Sequence, residues 1–213
     1  MKAELTNASP RRSRARRGEG EKLREQILDA ASRLLVETGD EDAVSIRAVA
    51  EAVGVTPPSI YLHFADKNEL IFAICEKYFD ELDRESTEAA RGSDDPIESL
   101  ILRGHAYVRF GLDNPEPYRV IFMRKPTDTP LPWRYEKIVT SSAFGHLWED
   151  VGAAVAAGLL EGDPMLVSIS LWSAVHGITS LLISKPDFPW PDTDQLIGQV
   201  TRSALYGVAA REG

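Results

Sequence analysis

SIRAVAEAVGVTPPSIYLHFADKNELI, residues 45–71, holds three helix starts and one glycine stop within 27 positions. Ser45 stands where a side-chain oxygen caps a helix, and Ile46, Val49, Ala50 and Val53 follow at the 3.6-residue period of a single buried face. Gly54 ends that helix. Thr56 followed by Pro57 supplies the cap and first-turn proline of a third helix, because the N–H that proline lacks would have no helical partner there anyway. This helix is expected from Pro57 to about Phe64. Asp66 and Glu69 have capping-box spacing and open a fourth helix, with Leu70, Ile71, Ile74, Tyr78 and Leu82 inward and an end by about Gly92.

The same punctuation organises the rest of the chain. Upstream, Leu23, Ile27, Ala30, Ala31, Leu34 and Leu35 line one face of a first helix that stops near Gly39, with Asp40 to Val44 as a loop. Downstream, Asp95-Pro96 with Glu98 opens a fifth helix to about Leu112, and Pro115 starts a short sixth that includes Tyr118 to Met123. Pro126, Pro130 and Pro132 prevent a continuous helix over 125–132, and a seventh is expected from Trp133 to about Leu160. Asp163-Pro164 caps an eighth to about Ser184; KPDFPWPD breaks it, and Thr193 to about Ala210 makes a ninth. No segment alternates as a strand does. The fold class is therefore all-α, about nine helices: a three-helix helix-turn-helix domain over 20–66 and a helical bundle over 67–213, preceded by an arm over 1–19.

A chain of 213 residues is long enough to bury a sizeable core. Its one cysteine, Cys75, excludes an internal disulfide, and no Cys/His array has zinc-site spacing. No metal or cofactor is expected. The net charge of −9 is unevenly spread: Met1 to Cys75 holds 11 basic and 12 acidic side chains, the remainder 13 and 21. Within the first part, Arg11, Arg12, Arg14, Arg16 and Arg17 fall inside seven positions. Such an arm is either a solvated tail or one that neutralises phosphates and enters a minor groove. The N-terminus lacks the apolar run of a secretory signal, so a cytoplasmic location is expected. Met165 to Ile183 passes nineteen residues without a formal charge, but four Ser, one Thr, one Gly and His176 interrupt it, which points to a buried helix and no membrane span.

Two short helices joined by a glycine turn form a helix-turn-helix, whose second helix enters the major groove of DNA. LREQILDAASRLLVETG, then SIRAVAEAVGVTPPSIYLHFADKNELI with its Y-x-H-F and D-K-x-E-L, resembles the DNA-binding domain of the TetR family of bacterial transcriptional regulators from Leu23 to about Ala73. The resemblance implies phosphate contacts for Tyr61, His63 and Lys67, whose phenol, imidazole and ammonium suit that task. Thr56 and Ser59 at the start of the third helix are candidate base readers, with Arg47 reaching in from the second helix to a base or phosphate and Ser45 as a further DNA contact; Arg47 alternatively pairs with a surface acid. The family commonly has a cation or glycine where Pro57 and Pro58 stand, and prolines offer only apolar surface, as to a thymine methyl. Discrimination then falls more to Arg47, to Arg14, Arg16 and Arg17 of the arm, and to DNA shape.

Further on, LWSAVHGITSLL with HAYVRFGLDNPEPYRVIF upstream is similar to the TetR C-terminal subclass named for a Trp, His and Gly, here Trp172, His176 and Gly177. Trp172 and His176 are four apart and share a helix face. With Tyr107, Phe110, Tyr118, Phe122, Phe144 and Trp148 they suit a small-molecule pocket, although the same spacing equally describes core packing and a hydrogen-bonded core histidine. The last two helices are apolar on more than one face, which by resemblance makes them a homodimer interface. The resemblance thus implies a repressor released from a pseudo-palindromic operator by an unspecified ligand, or an activator or ligand-independent regulator of the same fold. An enzyme built on Cys75 or a serine with His63, His105, His146 or His176 finds no support, since no nucleophile elbow, P-loop, GxGxxG or HExxH is present. Deleting residues 1–17 is expected to weaken duplex binding and flatten its salt dependence, measured by fluorescence anisotropy at several salt concentrations; an unchanged slope would dismiss the arm.

Overall fold

The computed structural model describes residues 19–123 and 143–207. Among these it contains nine α-helices: α1 (Glu19–Thr38), α2 (Ile46–Val53), α3 (Pro57–Tyr61), α4 (Lys67–Ala89), α5 (Pro96–Asp113), α6 (Pro115–Phe122), α7 (Ala143–Ala156), α8 (Pro164–Ser184) and α9 (Thr193–Tyr206). The described residues contain no extended strand. They divide into two compact units that meet in the chain between Ile71 and Phe72, inside α4. Residues 1–18 hold Arg14, Arg16 and Arg17, and 124–142 hold the proline-rich loop and the expected start of the seventh helix; these lie outside the described residues.

In the first unit, the inward face of α1 (Ile27, Ala30, Ala31, Leu35) meets Val49 and Ala50 of α2, Ile60 of α3, and Phe64, Leu70 and Ile71 beyond it. Gly54 ends α2 at φ 77°, a left-handed conformation that glycine adopts without cost. Ser45 caps α2 by accepting from the Ala48 amide at 3.1 Å. The segment expected to be only a loop contains a 3₁₀ turn, Glu41–Ala43, and Val44 after it is fully buried. Val44 precedes the cap and Val49 is the fourth residue of the helix, the two positions of a hydrophobic staple, and both are excluded from solvent. Helix α3 stops at Tyr61, earlier than expected, and tightens through Ile60, whose carbonyl accepts from both His63 and Phe64. Glu69 reaches the Ala65 amide one residue before the expected partner, while Asp66 caps through the Glu69 amide at 2.8 Å.

The second unit packs α5 against α8, α9 and α7, with α8 also against α7 and α9. Asp95, Asp163 and Asp192 each cap a helix by accepting a backbone N–H, at 2.9–3.0 Å. Glu98 takes the Ser93 hydroxyl instead of completing a box. Among the described residues one helix, Pro164–Ser184, is long and apolar enough to cross a membrane. Seven of its residues are buried against its neighbours, and Leu166, Ile169 and Leu181 are exposed.

Gly104 and Gly111, two turns apart on α5, set how near α8 and α9 can come. A Cβ on Gly104 would lie 3.0 Å from Thr201 of α9 and 3.4 Å from Val175 of α8, while one on Gly111 would overlap the Thr179 methyl and lie 3.0 Å from the Tyr118 ring. Overpacking of this kind costs typically 1–3 kcal/mol. Gly111→Ala is therefore expected to destabilise the protein by about 1–3 kcal/mol in urea unfolding, against the gain of about 1 kcal/mol that Gly→Ala gives in an unhindered helix. A stabilised variant would refute the close approach.

Candidate functional site

The helix-turn-helix surface is built by anchoring one side of α3 and leaving the other bare. Ile60 and Phe64 are essentially inaccessible, and the Arg24 guanidinium lies 4.9 Å from the Phe64 ring centroid. Between these anchors Tyr61 is 54% and Leu62 83% exposed, an uncommon state for such large apolar bodies. Arg47, Thr56, Pro57 and Pro58 are also exposed, and Ser45, Ser59, His63 and Lys67 are half-buried. Thr56 holds the cap position by its backbone, but its hydroxyl makes no capping bond and instead pairs with the Ser59 hydroxyl at 3.1 Å. Lys67 Nζ rests 3.0 Å from Asp42 Oδ1, a partner the sequence did not suggest. Asp42 is 95% exposed, and a pair this open is worth roughly 0–1 kcal/mol, so a phosphate can take its place.

The second unit holds a partly open cavity of about 490 Å³, within the range that holds a small organic ligand. Tyr107, Phe122, Phe144 and Trp172 lie on its wall; Phe110, Tyr118, Trp148 and His176 do not. Phe110 turns to the far side of α5, where its ring meets Tyr78 edge-on at 6.4 Å. Trp148 is exposed, since α7 lines the cavity with Ala143, Phe144 and Leu147. His176 sits behind the wall, its ring stacked on Tyr118 at 5.7 Å and flanked by Phe122.

Behind that wall runs a network of hydrogen bonds. Trp172 Nε1–H donates to Tyr107 Oη at 3.1 Å, and the Tyr107 and Tyr118 hydroxyls are 3.2 Å apart. Both hydroxyls reach His176 Nδ1, Tyr118 at 2.6 Å and Tyr107 at 3.3 Å. The other ring nitrogen, Nε2, faces Ser180 Oγ at 3.4 Å. Burial raises the pKa values of both phenols, which keeps them as donors.

One charged side chain, Arg103 of α5, stands among these wall residues. Its Nε lies 2.6 Å from Asp150 Oδ2 of α7; both atoms are buried, yet they are not aligned as a hydrogen bond, so the attraction is mainly coulombic. Arg103 Nη1 also approaches Thr87 Oγ1 of α4 at 3.4 Å. No group of three or more metal-ligating side chains occurs among the described residues.

A helix-turn-helix unit followed by an all-helical unit with an apolar cavity defines a class of small DNA-binding regulators, and comparison with known proteins agrees. Residues 27–74 match the family described as bacterial regulatory proteins, tetR family, and residues 100–204 match the tetracyclin repressor-like C-terminal domain. The chain belongs to the TetR family of transcriptional regulators, whose members bind DNA and are not enzymes. It is similar to the HTH-type transcriptional activator FasR of Mycolicibacterium smegmatis, 28% identical over 156 residues, 69% of this chain and 71% of that one. Its fold is that of a protein of unknown function from Rhodococcus sp. RHA1, with a TM-score of 0.76, 22% identity and coverage of 95% and 100%. It is also that of a TetR family regulator from Marinobacter aquaeolei VT8, with a TM-score of 0.72, 21% identity and coverage of 91% and 98%.

Burial lowers the pKa of His176, and burial is also the main cause of the lowering at His105. A histidine whose folded pKa lies below its unfolded value of about 6.5 contributes full stability above that value. As pH falls the unfolded chain takes the proton first, so stability declines. The urea midpoint is expected to drop between pH 7.5 and pH 5, and to drop less in His176→Gln, with His105 retaining its own share. An equal drop in both proteins would remove His176 from this account.

Proposed function

We propose that this regulator is a homodimeric repressor that holds a pseudo-palindromic operator and releases it when a small molecule fills the cavity of the second unit. The cavity itself carries this reading: a partly open, almost wholly apolar cleft of about 490 Å³ within a helical unit has the size and chemistry of a small-molecule site. Tyr61, His63 and Lys67 contact phosphates, while Thr56, Ser59 and Arg47 face base edges and Pro57 offers apolar surface. Arg14, Arg16 and Arg17 add salt-sensitive affinity. The exposed Leu166, Ile169 and Leu181 of α8 and Tyr206 of α9 supply the apolar face through which two copies pair. Tyr107, Phe122, Phe144 and Trp172 line the ligand chamber, with His176 and Phe110 supporting it from behind.

A second reading keeps all of this and reverses the sign, because the similar FasR is named an activator. Titration of the duplex flanking the protein's own gene is expected to give two chains per operator by analytical ultracentrifugation. Lys67→Ala should weaken binding to every duplex about equally and lower the salt slope by about one. One chain per site, or a Lys67→Ala effect confined to one base sequence, would overturn these assignments.

A further inference from the structure

We propose that the cavity takes an amphipathic carboxylate, its hydrocarbon body against the aromatic and aliphatic wall and its head group on Arg103, where it replaces Asp150. The inference rests on the reading of the cavity as a ligand chamber and adds the class of ligand. Three observations lead to it.

The wall is apolar almost throughout, and most of its polar side chains are already committed. Thr201 donates to the Ile197 carbonyl of its own helix, and Trp172 and Tyr107 belong to the hydrogen-bonded chain that ends on His176. Among the described residues, Arg103 is the only charged one on the wall. A cation in such a place favours a ligand of opposite charge, and a guanidinium offers a planar fork matched to a carboxylate.

The present partner of Arg103 is an imperfect one. Asp150 approaches within 2.6 Å of Nε without hydrogen-bond alignment, so the pair has charge compensation without the directional bond that a freely placed carboxylate makes. The two side chains also differ in access to water, with Arg103 17% and Asp150 33% exposed. Exchange therefore leaves the cation in the wall and returns the more exposed Asp150 carboxylate to solvent, where hydration offsets its lost partner. One carboxylate replaces another as the partner of the guanidinium.

The exchange also has a mechanical consequence. Arg103 and Asp150 join α5 to α7, and Arg103 also touches Thr87 of α4. A ligand that captures the guanidinium removes one tie between α7 and α5 and changes what the distal part of α4 rests on. That is a difference in contacts between the empty and filled states, which any ligand-driven shift requires.

Isothermal titration calorimetry on the full chain, with dodecanoate, dodecanol and dodecyltrimethylammonium below their aggregation concentrations, tests this. The wild type is expected to bind dodecanoate at least about tenfold more tightly than dodecanol, and the cation most weakly. Arg103→Gln should abolish the preference for the acid while dodecanol binding remains. Asp150→Asn, which removes the competitor, should strengthen dodecanoate several-fold. The double variant Arg103→Gln/Asp150→Asn leaves no uncompensated charge and serves if Arg103→Gln alone misfolds; it should show no preference. Equal binding of acid and alcohol by the wild type, or a preference that survives Arg103→Gln, overturns the head-group assignment and leaves the chamber standing. If none of the three probes binds, the chamber reading falls with it.

Discussion

Close approach of α5 to α8 and α9, permitted by Gly104 and Gly111, is the constraint on which the second unit depends. It brings Tyr107 and Tyr118 up to α8, where water cannot serve their hydroxyls, so the helix opposite must supply partners. Trp172, His176 and Ser180 do so, with His176 Nδ1 within reach of both phenol hydroxyls. Leaving a buried polar group unmatched costs about 1–3 kcal/mol, so losing one member of the chain is felt at the next. The result is a stiff partition. Aromatic rings close it on one side, and the cavity opens on the other; His176 serves the chamber by holding its wall.

The first unit solves a different problem with the same economy of means. A helix of five residues has no stability of its own, since nucleation costs more than so few hydrogen bonds return. Ile60 and Phe64 hold α3 in place by burial, and the staple of Val44 with Val49 fixes how the chain enters α2. Because tertiary anchors carry the helix, its remaining positions are released from any packing duty. That is why two prolines, a tyrosine and a leucine can all be presented to the outside there.

Legibility in the sequence followed the range of the interaction. Helix α8 begins and ends where the sequence said, because Asp163-Pro164 and KPDFPWPD act within a few residues of the boundary. Helix α3 ends earlier than its pattern predicts because the tightening around Ile60 is imposed by burial of Phe64, which no local pattern encodes. The pattern makes Thr56 a cap, yet its hydroxyl pairs with Ser59, an equally near acceptor that periodicity does not rank. Four of the eight aromatic and histidine candidates lie on the cavity wall. Helical spacing cannot exclude Phe110, Tyr118, Trp148 and His176, since it reports who shares a helix and not which neighbour covers it. Arg103 and Asp150 escaped notice altogether: their meeting joins residues far apart in sequence, and the only trace is an arginine set between Leu100, Gly104 and Tyr107 on an inward face.

Whether filling the cavity releases DNA or secures it turns on which state of the second unit the ligand favours. Helix α4 contributes its first residues to the DNA-binding unit and its distal turns to the wall around Arg103, so the chain itself links the two events. Linkage makes the effect reciprocal: a ligand that lowers DNA affinity must itself bind more weakly to the DNA-bound protein, by the same factor. The affinity of the chamber for its ligand does not fix the sign. A tight ligand with no preference between states would regulate nothing, whereas a modest one that breaks a helix-to-helix tie shifts the population by the difference it makes. On the proposed mechanism, regulation depends less on how well the apolar wall is filled than on whether the ligand alters the contact between α5 and α7.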